Sequence, residues 1–177
     1  MKTKYTLKIK QILIAFLILF TALNTRAQDK EETNKNNHEL KINIIALLGI
    51  SELSYEYLID DNHAVGVSLT IPLSHSYDFN FQITPNYRKY YGEKRAAGFF
   101  IEGNSAFFSQ KERKATIISN EAKAGLGFGL GVAAGAKFLI QKNFIAEIYI
   151  GAGANIIGNA YLFGMYPRAG ISIGKRF

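Results

Sequence analysis

From Leu40 to the last residue, apolar side chains recur at every second position in segment after segment. In YDFNFQITPNYRKYY, Tyr77, Phe79, Phe81, Ile83, Pro85, Tyr87 and Tyr91 share one parity. Asp78, Asn80, Gln82, Thr84, Asn86 and Arg88 share the other. AVGVSLTI sets Val65, Val67, Leu69 and Ile71 against Gly66, Ser68 and Thr70. NFIAEIYIGA sets Phe144, Ala146, Ile148 and Ile150 against Asn143, Glu147 and Gly151, with Ile145 and Tyr149 as exceptions. RAGISIGKRF opposes Ala169, Ile171, Ile173 and Phe177 to Arg168, Gly170, Ser172, Gly174 and Arg176. A period of two marks a strand with one apolar face. Segmentation on this period predicts about eight strands, at 41–49, 51–59, 63–72, 77–91, 97–109, 121–140, 143–154 and 165–177.

The stretch GLGFGLGVAAGAKF, residues 125–138, admits a second reading. Gly129 to Ala134 fits the G-x-G-x-x-G/A fingerprint of a dinucleotide-binding turn, and Glu147 stands near the offset of its ribose-binding acid. That turn needs a helix starting at the glycines, inside a βαβ unit. Here the alternation runs straight through them. Leu126, Phe128, Leu130, Val132, Ala134, Phe138 and Ile140 oppose Lys123, Gly125, Gly127, Gly129, Gly131, Gly135 and Lys137, and another strand follows. A strand is therefore predicted, about three times the usual length of ~5–6 residues. Glycine on the inner face of a tight barrel leaves space for bulky side chains from opposite strands and lets the strand bend.

An even number of antiparallel strands puts both termini at one end. The connections after strands two, four and six are short (Asp60 to Asn62, Gly92 to Arg95, Gln141-Lys142). Those after strands five and seven are longer (Gln110 to Asn120, Ile156 to Gly164), while those near Gly49-Ile50 and Leu73 to Ser76 are short as well. Short turns at the terminus end and longer loops at the other suit an outer-membrane barrel. The predicted fold class is all-β: a closed antiparallel up-and-down transmembrane β-barrel.

Composition agrees. Tyr (10) and Phe (13) are plentiful and Pro is scarce at 3, a profile for strands rather than disorder. Cysteine is absent, which excludes disulfides, thiolate nucleophiles and cysteine metal sites. The net charge of +7 suggests a nucleic-acid binder until its location is considered. Lys2, Lys4, Lys8, Lys10 and Arg26 lie in residues 1–27, which hold no acid; without those five, 16 basic residues face 14 acidic ones. Nothing remains of the phosphate-neutralising surface that nucleic acid requires. Residues 1–27 have the basic region, the apolar run of about 12 residues (Ile12 to Leu23) and the small-residue end of a secretory signal. The run is shorter than the ~20 residues of a spanning helix. Cleavage after Ala27 is predicted, and an intact mass beginning at Gln28 checks it. Residues 28–39, QDKEETNKNNHE, read as a flexible polar leader, which leaves 40–177 as the barrel.

Over residues 40–177, together with the signal, the pattern resembles the small outer-membrane β-barrel family of Gram-negative envelopes, which includes barrels of unknown function. The most specific point is the end of the chain. Phe177, preceded by alternating Ile171 and Ile173, looks like the C-terminal assembly signal read by the outer-membrane insertion machinery. Lys175 departs from the apolar residue expected there; its stem can lie on the wall with its ammonium at the interface. The resemblance implies an outer-membrane location. It also implies the lipid bilayer and the insertion machinery as partners, an outward apolar band about 25 Å tall, and aromatic girdles. Candidate girdle residues are Tyr55, Tyr57, Tyr87, Tyr91, Phe138, Phe144 and Phe177.

By parity the lumen receives Glu52, Glu56, Asp78, Glu102 and Glu147, with Arg88, Lys123, Lys137, Arg168 and Arg176. Five acids and five bases in an interior just wide enough for side chains suggest a self-neutralised ionic plug. An ion path or a small-ligand site would use the same residues. Glu102 and Glu147 lie deepest, but no spacing pairs them for acid/base chemistry. Some members of the resembled family are lipid A deacylases or acyltransferases with His, Ser and an acid; His75-Ser76 with Asp78 is the corresponding candidate here. Adjacent turn residues rarely give nucleophile and base the right geometry, and His38, His63 and His75 have no metal-ligand spacing. In the loop 109–120, Lys111, Arg113 and Lys114 surround Glu112 and suit lipopolysaccharide phosphates. The reading is a structural or surface-interacting envelope barrel, without cofactor, metal or assigned catalytic residue. A lipid A-modifying enzyme and a narrow transporter are the alternatives.

Overall fold

A computed structural model describes residues 36–44, 49–73, 79–112, 124–140, 143–158 and 164–177. Eight strands form the wall: β1 (His38–Asn43), β2 (Ile50–Leu58), β3 (His63–Pro72), β4 (Phe79–Tyr91), β5 (Gly98–Gln110), β6 (Gly125–Leu139), β7 (Phe144–Ile157) and β8 (Met165–Arg176). Each pairs antiparallel with its sequence neighbours, and β8 pairs with β1, so the sheet closes. The run Gly129 to Ala134 lies inside β6, with no helix at the glycines. Closure leaves no unpaired edge, which a strand wall in an apolar medium requires.

The inward positions joined by successive pairings are Arg176, Glu39, Glu56, Gly66, Asn86, Asn104, Gly131, Gly153 and Tyr166. One circuit therefore returns to β8 ten residues from its start. In a barrel of eight strands that stagger corresponds to a tilt of about 40°. The parity rule holds around the circuit: odd positions of β2, such as Leu53, Tyr55 and Tyr57, are exposed, while Glu52, Ser54 and Glu56 are buried.

The chain enters the wall earlier than its polarity suggests. β1 begins at His38, and Glu39, assigned to the leader from sequence, is fully buried. A segment without apolar side chains has nothing to place in a soluble core. In a barrel whose inner face is polar, an acid is a proper inward residue. Asn37 is also held, its carbonyl accepting from the Leu58 N–H at 2.7 Å. Residues 1–35, including the predicted signal, lie outside the described residues.

The β6 glycines face inward beneath aromatic rings. A Cβ added at Gly129 or Gly131 would lie 2.7 or 2.6 Å from Tyr166 of β8; at Gly153 of β7 it would be closer still, and at Gly127 it would overlap Phe108 of β5. These rings come from one or two strands away, not from opposite strands as the sequence suggested. With strands about 4.8 Å apart, an inward ring lies flat along the wall before it reaches across.

At the terminus end the β4–β5 turn folds into the mouth. Ala96 and Ala97 are 0% and 4% exposed. Ala96 has φ +42°, a strained backbone for a residue with a side chain. Three hydrogen bonds offset that strain: Ala96 N–H to the Asp61 carbonyl (2.6 Å), and the Arg176 guanidinium to the carbonyls of Arg95 (3.1 Å) and Ala96 (3.3 Å).

Candidate functional site

The lumen holds ten buried charges among the described residues: Glu39, Glu52, Glu56, Glu102 and Glu147, and Lys41, Arg88, Lys137, Arg168 and Arg176. None is more than 7% exposed. Five acids meet five bases, so the described interior charges balance. Their signs alternate along one connected path. From the terminus end, Arg176 Nε donates to Glu39 (2.8 Å), and Lys137 Nζ bridges Glu39 (2.7 Å) and Glu56 (2.5 Å). Glu56 also accepts from Lys41 (2.6 Å) and Arg88 (2.9 Å), and both of these cations reach Glu147, at 3.0 and 2.9 Å. Glu56, Lys41, Glu147 and Arg88 thus form a closed ring of alternating sign. Arg88 Nε continues to Glu102 (2.8 Å), which accepts from Arg168 Nε (2.9 Å), and Arg168 ends the path on Glu52 (2.8 Å).

Neutral groups complete the shells. Tyr90 donates to Glu56 (2.5 Å), Tyr149 to Glu52 (2.8 Å), and Tyr166 to Asn104 (2.6 Å), which donates to Glu102 (3.0 Å). Ser54 and Asn104 each contribute a hydrogen bond to a carboxylate two residues away on the same strand. Cations lie over rings: Arg88 over Phe100 and Lys137 over Tyr90, both at 4.4 Å, and Arg168 over Tyr149 at 4.7 Å. Buried charge survives where it is both paired and hydrogen-bonded, and this lumen meets both conditions. Two apolar clusters share the space: Leu58, Ala64, Tyr90, Ala96, Phe100 and Tyr149, and Phe79, Ala106, Phe108 and Tyr166.

Of the ten charges anticipated for the lumen, Glu52, Glu56, Arg88, Glu102, Lys137, Glu147, Arg168 and Arg176 are buried there and joined in this network. Asp78 and Lys123 lie outside the described residues, as do His75, Ser76, Arg113 and Lys114. Glu102 and Glu147 do not face each other as a free pair; Arg88 lies between them. Sequence reasoning missed Glu39 and Lys41. The signal was present, since Glu39, Lys41 and Asn43 alternate with Leu40 and Ile42. The three tyrosine donors were missed because a tyrosine reads as apolar in a parity count.

The outward candidates all lie toward the terminus end. Tyr55, Tyr57, Tyr87, Tyr91, Phe138 and Phe177 are exposed and Phe144 is half-buried. They form one belt rather than two. At the other end Phe81 and Phe107 face outward, with Phe128 in register against Phe107 and their rings 4.9 Å apart. Ile171 and Ile173 lie on the outer face of β8, and Phe177 follows directly after it, exposed. Phe177 exchanges backbone hydrogen bonds with His38 (2.8 and 3.1 Å) and stacks on its ring, which ties the chain end to β1.

No protein-family model matches the chain, and no curated protein matches it. Among solved structures, the crystal structure of the N-terminal β-barrel domain of Pseudomonas aeruginosa OprF is similar, with a TM-score of 0.58 at 15% identity. The match covers 80% of this chain and 98% of that one. At that identity the likeness is one of fold: an eight-stranded closed barrel.

Proposed function

We propose that this chain is an outer-membrane barrel with a sealed lumen, serving a structural or surface-interacting role in the envelope. The exterior supports the membrane part of this reading. Leu53, Val67, Ile83, Ile101, Leu130, Val132, Ile148, Ile150 and Ile171 are between 39% and 74% exposed, and in water an apolar band of that size would drive association. Strands β2 to β8 run from 9 to 15 residues, enough for tilted strands to cross a bilayer, which takes about 9–11. A faster unboiled than boiled band, recovered in the outer-membrane fraction, is the expected behaviour. A soluble periplasmic protein with no mobility shift overturns the reading.

The observation that carries the sealed lumen is the electroneutral network itself. A conducting pore keeps water beside its charges, whereas here each charge is held by protein partners, and Arg88, Lys137 and Arg168 also lie over aromatic rings. Purified protein in a planar bilayer is therefore expected to stay at the baseline current. A steady open conductance would sink the plug and raise the transporter reading in its place.

A further inference from the structure

Every carboxylate in the described strands points into the lumen, whereas two of the seven strand lysines and arginines, Lys89 and Lys175, point out. Among the described strand residues, the charged side chains on the outer face are therefore of one sign only. Both lysines lie toward the terminus end. Lys89 is in register with His63, the first residue of β3, and Lys175 with Phe144, the first residue of β7. They stand on β4 and β8, half a circuit apart. Each has an aromatic setting. The Lys89 ammonium is 5.6 Å from the Tyr91 ring, with Tyr87 stacked on His63 beside it. Lys175 is flanked by Phe144 and by Phe177, which stacks on His38. The nearby turn acids have partners of their own or are exposed. Asp60 is held by His63 (2.9 Å) and Asp61 by Arg95 (3.2 Å), and Glu93 lies beside Lys94 in the exposed first half of the β4–β5 turn. The Asn62 backbone N–H, with the His63 ring, holds the Asp60 carboxyl below its usual range.

We propose that Lys89 and Lys175 form two phosphate sites for anionic phospholipid headgroups of the phosphatidylglycerol class, on opposite sides of the barrel in the leaflet at the terminus end. This rests on the membrane reading above. The lysine stem lies along apolar wall while its ammonium reaches headgroup level, among aromatics that favour that depth. A lysine near an anionic lipid surface favours the anionic lipid about fivefold. With no outward side-chain carboxylate among the described strand residues, no strand side chain offsets that preference.

The test uses the mature protein refolded into nanodiscs of phosphatidylcholine with a minor share of phosphatidylglycerol, and counts retained lipids by native mass spectrometry. Wild type is expected to retain phosphatidylglycerol about fivefold above its share in the disc. Lys89→Gln and Lys175→Gln should each remove about half of that excess and the double variant all of it, while Lys94→Gln, in the exposed turn, leaves it unchanged. An inserted barrel with no excess, or with an excess that survives the double variant, overturns the two sites and leaves the membrane reading standing. A chain that fails to insert, with no mobility difference on boiling, overturns the membrane reading and the sites with it.

Discussion

Replacing Glu56 with glutamine is expected to destabilise the barrel by about 3–5 kcal/mol, the range for removing one member of a buried ion pair. Glu56 accepts hydrogen bonds from three cations, Lys41, Arg88 and Lys137, more than any other described lumen acid, and from Tyr90 as well. Glutamine keeps the shape but leaves four acids against five bases, and it turns an amide donor toward cations. The denaturant midpoint of the vesicle-inserted protein measures the loss. A second change separates charge balance from packing. Lys137 bonds only Glu39 and Glu56 among these acids and lies over the Tyr90 ring, so Lys137→Met fills much the same space without charge. The double variant Glu56→Gln, Lys137→Met should recover at least half of the loss, since coupled neighbours are not additive. If the two losses simply add, the network is not a balanced unit. The Arg95–Asp61 pair at the surface, whose carboxylate is exposed, is by contrast worth less than about 1 kcal/mol.

The second large effect contrasts two glycines. Gly153→Ala drives a methyl into the Tyr166 ring, which is itself fixed by its hydrogen bond to Asn104. Overpacking of about 1–3 kcal/mol and weakening of that bond by about 1 kcal/mol are expected together. Gly103, on the outer face, has nothing within 4 Å of an added Cβ. Gly103→Ala should be neutral or stabilising by about 0.4–1 kcal/mol, because alanine narrows the unfolded ensemble. The same denaturant titration reads both. Equal losses at the two positions would mean that the inner glycines are not there to make room for rings.

Much of this architecture was legible because a period of two reports sidedness directly. Eight strands, their antiparallel order and eight of the ten lumen charges follow from parity alone. Glu39 is hidden by the polar run before it, a cue that serves for soluble cores and fails for a wall with a polar inside, whereas Lys41 stands at the very edge of the first strand that the period predicts, where parity has only one side to read. The connections among the charges were not legible. Parity places Arg88 inside but cannot show that it touches three acids, because those contacts span β2, β4, β5 and β7 and depend on the stagger. The origin of the rings over the glycines was misread for the same reason.

The two faces of the wall impose different rules on change over time. An outward position needs only to be apolar, so leucine, isoleucine, valine and phenylalanine can replace one another there singly and almost without penalty. An inward charge answers to partners on several strands, so it can be replaced only with a compensating change elsewhere. Outer positions would then drift freely, while inner ones would move rarely and in sets. Such a barrel can keep its shape while most of its outward letters change.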